Sequence, residues 1–275
     1  MIEVKNLSFR YGSKTVLKNI TMELRGGNIY GLLGENGVGK TTLLTLLCGL
    51  KKPFAGSIEV DGRDPFMRQP SLLAEQFYLP DEVSPVQAKA DAFALENGTM
   101  WPSYDHAKFL EIMQVFEMDP QQRMDAMSAG QIKKTWISFA LACNARYYYM
   151  DEPTNGLDIP SKAQFRKAVT KYTGEDSGIV ISTHQVRDLE NIIDPIIILD
   201  KQEVLVNATL EEIASKLYFD YGTEIKPGSL YLEQIPGGSI QVYPNLSGEE
   251  SKVNLEAFFN TVHTHKDLVK PFFTK

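Results

Sequence analysis

The sequence predicts an α/β fold with a mostly parallel core sheet, and three observations carry that prediction. Apolar runs of strand length alternate with helical segments through residues 147–150, 161–172, 178–182 and 185–193. Such alternation favours parallel strands with helices on the sheet faces. Nearer the start, residues 28–33 read as a buried strand, Gly34-Glu35-Asn36-Gly37-Val38-Gly39-Lys40-Thr41 as a glycine loop, and residues 41–47 as an apolar helix ending at Gly49. That loop fits G-x-x-x-x-G-K-[ST] at every fixed position, and strand, loop, helix is the P-loop order. Finally, 275 residues with 43% hydrophobic content suffice for one large or two small domains.

The elements follow in order. Residues 2–9 and 16–24 form two strand-like runs joined by a turn at Gly12-Ser13, and Gly26-Gly27 breaks the chain before the buried strand. These runs predict an N-terminal antiparallel β subdomain. Residues 56–62 read as a short strand between glycine turns. From Pro85 to Asp125 the pattern turns helical, at 86–97 and 104–117, so a helical subdomain is expected as an insertion over about 85–145. Thr209-Leu210-Glu211-Glu212 has the spacing of a capping box and predicts a short helix. Beyond it, residues 222–228 read as a linker, 229–233 and 239–243 as strands, and 253–265 as a helix. The expected division is 1–217 as the main domain and 218–275 as a small α/β extension. So short a tail has little core of its own and is expected to dock on the main domain.

Composition excludes several classes. The 28 basic and 35 acidic residues give a net charge of −7, which argues against a surface that coats nucleic acid. No apolar run approaches the roughly 18–20 residues of a membrane span, and Pro195-Ile196-Ile197-Ile198-Leu199 is far too short. The first residues begin an alternating strand rather than a signal peptide. Cys48 and Cys143 sit in apolar helical segments and read as buried, reduced thiols of a reducing compartment. A soluble intracellular chain is expected, with any membrane role exercised through a partner.

The glycine loop is a receptor for polyphosphate. Its backbone N–H groups can point inward, and the following helix presents its positive end. Lys40 would neutralise phosphate charge and the Thr41 hydroxyl would ligate Mg²⁺. A second constellation, Tyr147-Tyr148-Tyr149-Met150-Asp151-Glu152, ends an apolar strand in two carboxylates. At that sheet edge Asp151 suits Mg²⁺ and Glu152 suits the positioning or deprotonation of an attacking water. Ser128-Ala129-Gly130-Gln131 reads either as a capped helix start or as an anion receptor, the latter serving the nucleotide of another subunit. His184 could bond a γ-phosphate or be structural, Tyr11 could stack on adenine or pack in the core, and Asp158 could fix geometry across a dimer.

Together these residues resemble the ATPase subunit of ATP-binding cassette (ABC) transporters over residues 1–217. Residues 34–42, including Gly34, Asn36, Gly37, Gly39, Lys40, Thr41 and Thr42, are similar to its Walker A loop, and 147–152 to its Walker B. Residues 127–131 resemble its signature motif, with Ser128, Gly130 and Gln131 as nucleotide contacts. Residues 155–158 resemble its D-loop and His184 its switch histidine. The resemblance implies ATP and Mg²⁺ as cofactors, a head-to-tail dimer with a second ATPase subunit, and an integral-membrane permease facing the helical subdomain. It also implies Tyr11 on adenine, Glu152 as general base and Asp151 on Mg²⁺. The location implied is cytoplasmic, peripheral to the inner face of the cell membrane, with no nucleic acid expected.

Three departures stand out. The signature reads Met-Ser-Ala-Gly-Gln, with Ala129 at a usual glycine. Asp81 stands after Tyr78-Leu79-Pro80 where the family has its Q-loop glutamine, and could reach Mg²⁺ through water. Three tyrosines occupy the Walker B strand, and each buried hydroxyl there needs a partner. A loose likeness of the tail to segments of export-type subunits suggests export. The alternative is a cassette ATPase acting on ribosomes or nucleic acid. Against it, no long heptad run separates Walker A from the signature and the chain carries one cassette. A GTPase or small-molecule kinase lacks support, since no N-K-x-D sequence is present.

Overall fold

A computed structural model describes residues 1–225 and 227–273. The chain opens with β1 (Ile2–Tyr11), β2 (Lys14–Leu24), β3 (Ile29–Leu33), α1 (Lys40–Leu47) and β4 (Ala55–Val60). Next come α2 (Pro70–Leu73), β5 (Gln76–Leu79), α3 (Ala90–Gly98), α4 (His106–Val115) and α5 (Ala129–Ala142). β6 (Tyr147–Asp151), α6 (Ile159–Tyr172), β7 (Gly178–Thr183), β8 (Ile196–Asp200), β9 (Glu203–Ala208) and α7 (Leu210–Lys216) complete the α/β core. The tail adds β10 (Leu217–Gly222), β11 (Tyr231–Ile235), β12 (Gly238–Pro244), α8 (Leu255–Thr264) and α9 (Lys266–Phe273).

The central sheet runs β5-β6-β7-β3-β8-β9, parallel except for the antiparallel β8–β9 hairpin. A separate antiparallel sheet, β2-β1-β4, covers one face. Strand periodicity sorts the side chains between faces. Tyr30, Leu32, Tyr147 and Tyr149 pack with α1 and the antiparallel sheet, whereas Leu33, Tyr148, Met150 and Ile181 pack with the helices. The α/β fold with its antiparallel subdomain, inserted helices and small tail is therefore realised.

Local signals held where capping chemistry was explicit. Thr209 caps α7 and Ser128 caps α5, each as a full capping box. The helix expected over 185–193 is instead a short 3-10 turn, Val186–Asp188, although Val186, Leu189 and Ile193 enter the core at the i, i+3, i+7 spacing of a helical face. Strands β5, β8, β9 and β10 carry no turn-bounded signal strong enough to mark them, and β10 ends at Gly222, where the expected linker begins. In the tail, Phe219, Val242, Phe258, Val262 and Val269 join the same apolar cluster as the main helices. Burial against the core gives this short segment what its own size does not.

The three tyrosines resolve differently. Tyr147 donates its hydroxyl to Asp61 at 2.9 Å, and burial together with Asp61 pushes its pKa up to about 12. Burial also raises Tyr148. Tyr149 is fully buried, and its hydroxyl finds no hydrogen-bond partner among the described residues. An unpaired buried hydroxyl costs about 1–3 kcal/mol.

Candidate functional site

The site forms where β3, β6 and β7 end side by side. After Leu33 the chain leaves the sheet, wraps through the glycine loop and enters α1 at Lys40. Two glycines make that path possible. A Cβ on Gly34 would stand 2.5 Å from the Leu199 carbonyl of β8, and Gly39 caps the helix at φ 117°, in the left-handed region. Lys40 is buried at 6% exposure, and its ammonium donates to the Gly34 carbonyl at 2.7 Å and the Glu35 carbonyl at 3.2 Å. The same ammonium lies 3.4 Å from Glu152 Oε1.

Glu152 follows the end of β6 at φ 43°. Its backbone N–H donates to Ser182 Oγ at 3.0 Å, which anchors the turn to β7. The carboxylate is shared: Oε2 lies 3.0 Å from His184 Nδ1, while Oε1 has no hydrogen-bond partner among the described residues. Only Lys40 compensates that oxygen. Asp151 is 2% exposed and accepts a hydrogen bond from Ser182 Oγ at 2.5 Å. Ser182 thus holds both acidic residues in place.

A polar cleft of about 680 Å³ opens over this group. Tyr11, Asn36, Gly37, Gly39, Lys40, Thr41, Thr42, Asp81, Glu152 and His184 line it. Gly34 and Asp151 do not appear in the wall, but both support it from behind. Tyr11 is half exposed, with its ring edge-on to Phe9 and its hydroxyl 3.4 Å from Thr42 Oγ1. Ser128, Gly130, Gln131 and Asp158 do not line the cleft. Ser128 and Gln131 bond each other reciprocally at the start of α5, and Asp158 caps α6 through the Ser161 N–H at 2.9 Å. The capping reading of these residues is realised within one chain. Ala129 lies in α5 and outside the left-handed conformations, so nothing there requires glycine.

Asp81 reaches the cleft, but its carboxylate is engaged. Asn155 Nδ2 donates to it at 3.1 and 3.4 Å, and the ammonium of Lys133 lies 3.5 Å away. Sequence reasoning passed over Lys133, because a lysine on a helix usually faces solvent; here it is buried. Burial lowers its pKa, and the nearby carboxylates oppose that shift. Lys14, Lys201 and Gln202 were also missed as lining residues. The β8–β9 turn, left-handed at Lys201 and Gln202, delivers the last two. From the tail, His263 Nε2 reaches Glu35 of the glycine loop at 3.3 Å.

The donor set suits a triphosphate with its cation. An ammonium shielded from water sits in a loop shaped by glycine, with Glu152 lining the cleft 3.4 Å away and Asp151 buried behind it. No cluster of three or more histidine, cysteine or acidic side chains that could hold a metal occurs among the described residues. Thr41 and Asp151 are oxygen donors that could hold Mg²⁺ together with phosphate oxygens and water, its usual mixed ligation.

Comparison with known proteins agrees. The family model described as ABC transporter matches residues 17–155. The cobalt import ATP-binding protein of Salmonella typhimurium is 28% identical over 226 residues, covering 78% of this chain and 82% of its own. The lipopolysaccharide export system ATP-binding protein of Haemophilus influenzae is 27% identical over 222 residues, covering 78% and 92%. A solved dimeric ATP-binding cassette in a post-hydrolysis state, bound to ADP and Pi, superposes with a TM-score of 0.65 at 22% identity, covering 76% of this chain and 99% of its own. At that identity the superposition speaks for the fold. With a family model spanning half the sequence and a phosphate loop, Glu152 and His184 meeting in one cleft, this chain belongs to the ABC transporter family, as an ATP-binding subunit.

Proposed function

We propose that this chain hydrolyses ATP and passes the work of head-to-tail dimer closure to a separate membrane-embedded permease. The observation that carries the reading is the buried Lys40 ammonium, 3.4 Å from Glu152 and enclosed by its own glycine loop. In this reading Lys40 and the loop amides bind the β- and γ-phosphates, and Tyr11 packs on adenine. Thr41 and Asp151 hold Mg²⁺, which when bound neutralises charge developing on the transferred phosphoryl group. Glu152 orients and deprotonates the attacking water, and His184 keeps its carboxylate in position. Ser128 and Gly130, at the N-terminus of α5, supply donors to the nucleotide of the second ATPase subunit.

Among the described residues no helix is long and apolar enough to cross a membrane; in our reading translocation belongs to the separate permease. Peripheral attachment at the inner face of the membrane follows from that division of labour. Export is our reading of direction, and it rests on the tail alone. The relatives act in import and in export, so a reconstituted system is to be read both ways. Because they are transporter subunits, they do not favour action on ribosomes or nucleic acid. The direct test is ATP titration by calorimetry. Lys40→Ala is expected to weaken binding at least tenfold; equal affinity in variant and parent would overturn the reading.

A further inference from the structure

One buried charge near the cleft has no part in the scheme above. Lys133, in α5, is 3% exposed, yet it lies one turn beyond the Ser128 cap. Its ammonium bonds the Asp81 main-chain carbonyl and lies 3.5 Å from Asp81 Oδ1. Among the described residues it is hydrogen-bonded to no other residue. The two carboxylate oxygens of Asp81 also accept from Asn155 Nδ2, and the Asn155 N–H returns to the Glu152 carbonyl at 3.1 Å. Three segments distant in sequence therefore meet at one carboxylate: the loop after β5, the first turns of α5, and the loop after Glu152. Alongside, the indole N–H of Trp136, also in α5, donates to the Ser84 carbonyl at 3.3 Å and repeats the tie between α5 and the loop.

Burying an ammonium is costly, and a single partly exposed carboxylate with one carbonyl is a sparse set of partners for it. A lysine that only filled space there would be replaced without loss by an apolar side chain of similar size. We propose that Lys133 is a positioning residue of the nucleotide site: it holds Asp81 against Asn155, so that the loop after β5, α5 and the loop after Glu152 move as one piece, and it keeps that carboxylate occupied until a divalent cation displaces it. The inference rests on the nucleotide reading for its second half only. The first half concerns the chain without ligand.

Two measurements judge it. In the ligand-free protein, hydrogen exchange should quicken about tenfold in Lys133→Met, both at residues 80–86 and at residues 153–157. Asp81→Ala should act in the same way but more weakly, because it leaves Lys133 the main-chain carbonyl of residue 81, and the double variant should do no more than Lys133→Met alone. Acceleration confined to one loop, additive effects, or no acceleration would overturn the bridge. Lys133→Arg, which keeps the charge, should exchange as the parent does, and if Lys133→Met does not fold, Asp81→Ala with Lys133→Arg decides the matter.

In the second measurement ATP binding is titrated against Mg²⁺. Freeing Asp81 by Lys133→Met should lower the half-saturating Mg²⁺ by about threefold to tenfold, and adding Asp81→Ala should abolish that gain. An unchanged Mg²⁺ requirement, or a gain that survives Asp81→Ala, would overturn the second half. If the parent protein and every variant bind no ATP, the nucleotide reading falls, while the exchange data still decide whether Lys133 ties the loops together.

Discussion

Replacing Glu152 with glutamine separates chemistry from architecture at this site. The carboxylate lies 3.4 Å from Lys40 and 3.0 Å from His184, with its side chain 11% exposed. At an effective dielectric of 20 the Lys40 contact alone corresponds to ~5 kcal/mol of gross Coulomb attraction. Most of that does not appear as lost stability on substitution, because the neutral amide also removes the cost of burying the carboxylate. Lys40 keeps the Gly34 and Glu35 carbonyls as acceptors, and an amide oxygen of the same size can still accept from Lys40. A net destabilisation of about 1 kcal/mol is expected, shifting Tm down by about 2–4 °C. Hydrolysis should fall by roughly 10²–10⁴, the usual worth of a positioned general base, or about 3–5 kcal/mol of barrier. ATP affinity should be retained, since the substitution removes a negative charge facing the phosphates, and the closed dimer should persist. Calorimetric ATP titration, phosphate release and size-exclusion chromatography with ATP read these three quantities. Full-speed hydrolysis by Glu152→Gln would refute the base assignment. A collapse of Tm by more than about 10 °C would show that the carboxylate serves folding instead.

Two further outcomes test packing. Burial pushes the Cys48 thiol up to about 11 and Cys143 higher still, and both are buried and free. At pH 8 roughly a thousandth of Cys48 is thiolate, so neither cysteine should react with a thiol dye in native protein, and both should react after denaturation. Fast native labelling would contradict the placement of α1 and α5. Phe258 of α8 is fully buried in the cluster shared with the main helices. Phe258→Ala should cost about 3–5 kcal/mol in denaturant unfolding of the whole chain; a loss confined to the tail would show that it folds apart.

Legibility varied with the range of the physics. The glycine loop, the capping boxes at Ser128 and Thr209, and the acidic strand end are local devices whose residues lie within a few positions of one another. They could be read directly. The segment after His184 carries buried apolar residues at helical spacing, Val186, Leu189 and Ile193, yet folds only as a short 3-10 turn, so periodicity alone misled there. Strands β8 and β9 were missed although Ile196, Ile197 and Ile198 are fully buried, since a short apolar run does not declare its type. Asp81 was placed at the metal from its position alone, and nothing local to it announces Lys133 or Asn155 as partners. His263 beside Glu35 had no sequence signal.

By itself the sequence determined the chemistry available here: a loop that accepts phosphate, two carboxylates at a strand end, a histidine after the next strand, and helix starts capped by serine and threonine. These follow from backbone conformation and hydrogen bonds among neighbours, which the order of residues specifies. Only the tertiary structure decided which groups meet as hydrogen-bond or ion-pair partners. Seating β7 between β6 and β3 brings Ser182, Glu152, His184 and Lys40 together, and packing α5 beneath the loop after β5 turns Lys133 inward. Those contacts are set by strand order and by the burial of apolar faces, which depend on the whole chain at once and leave no mark at any one position.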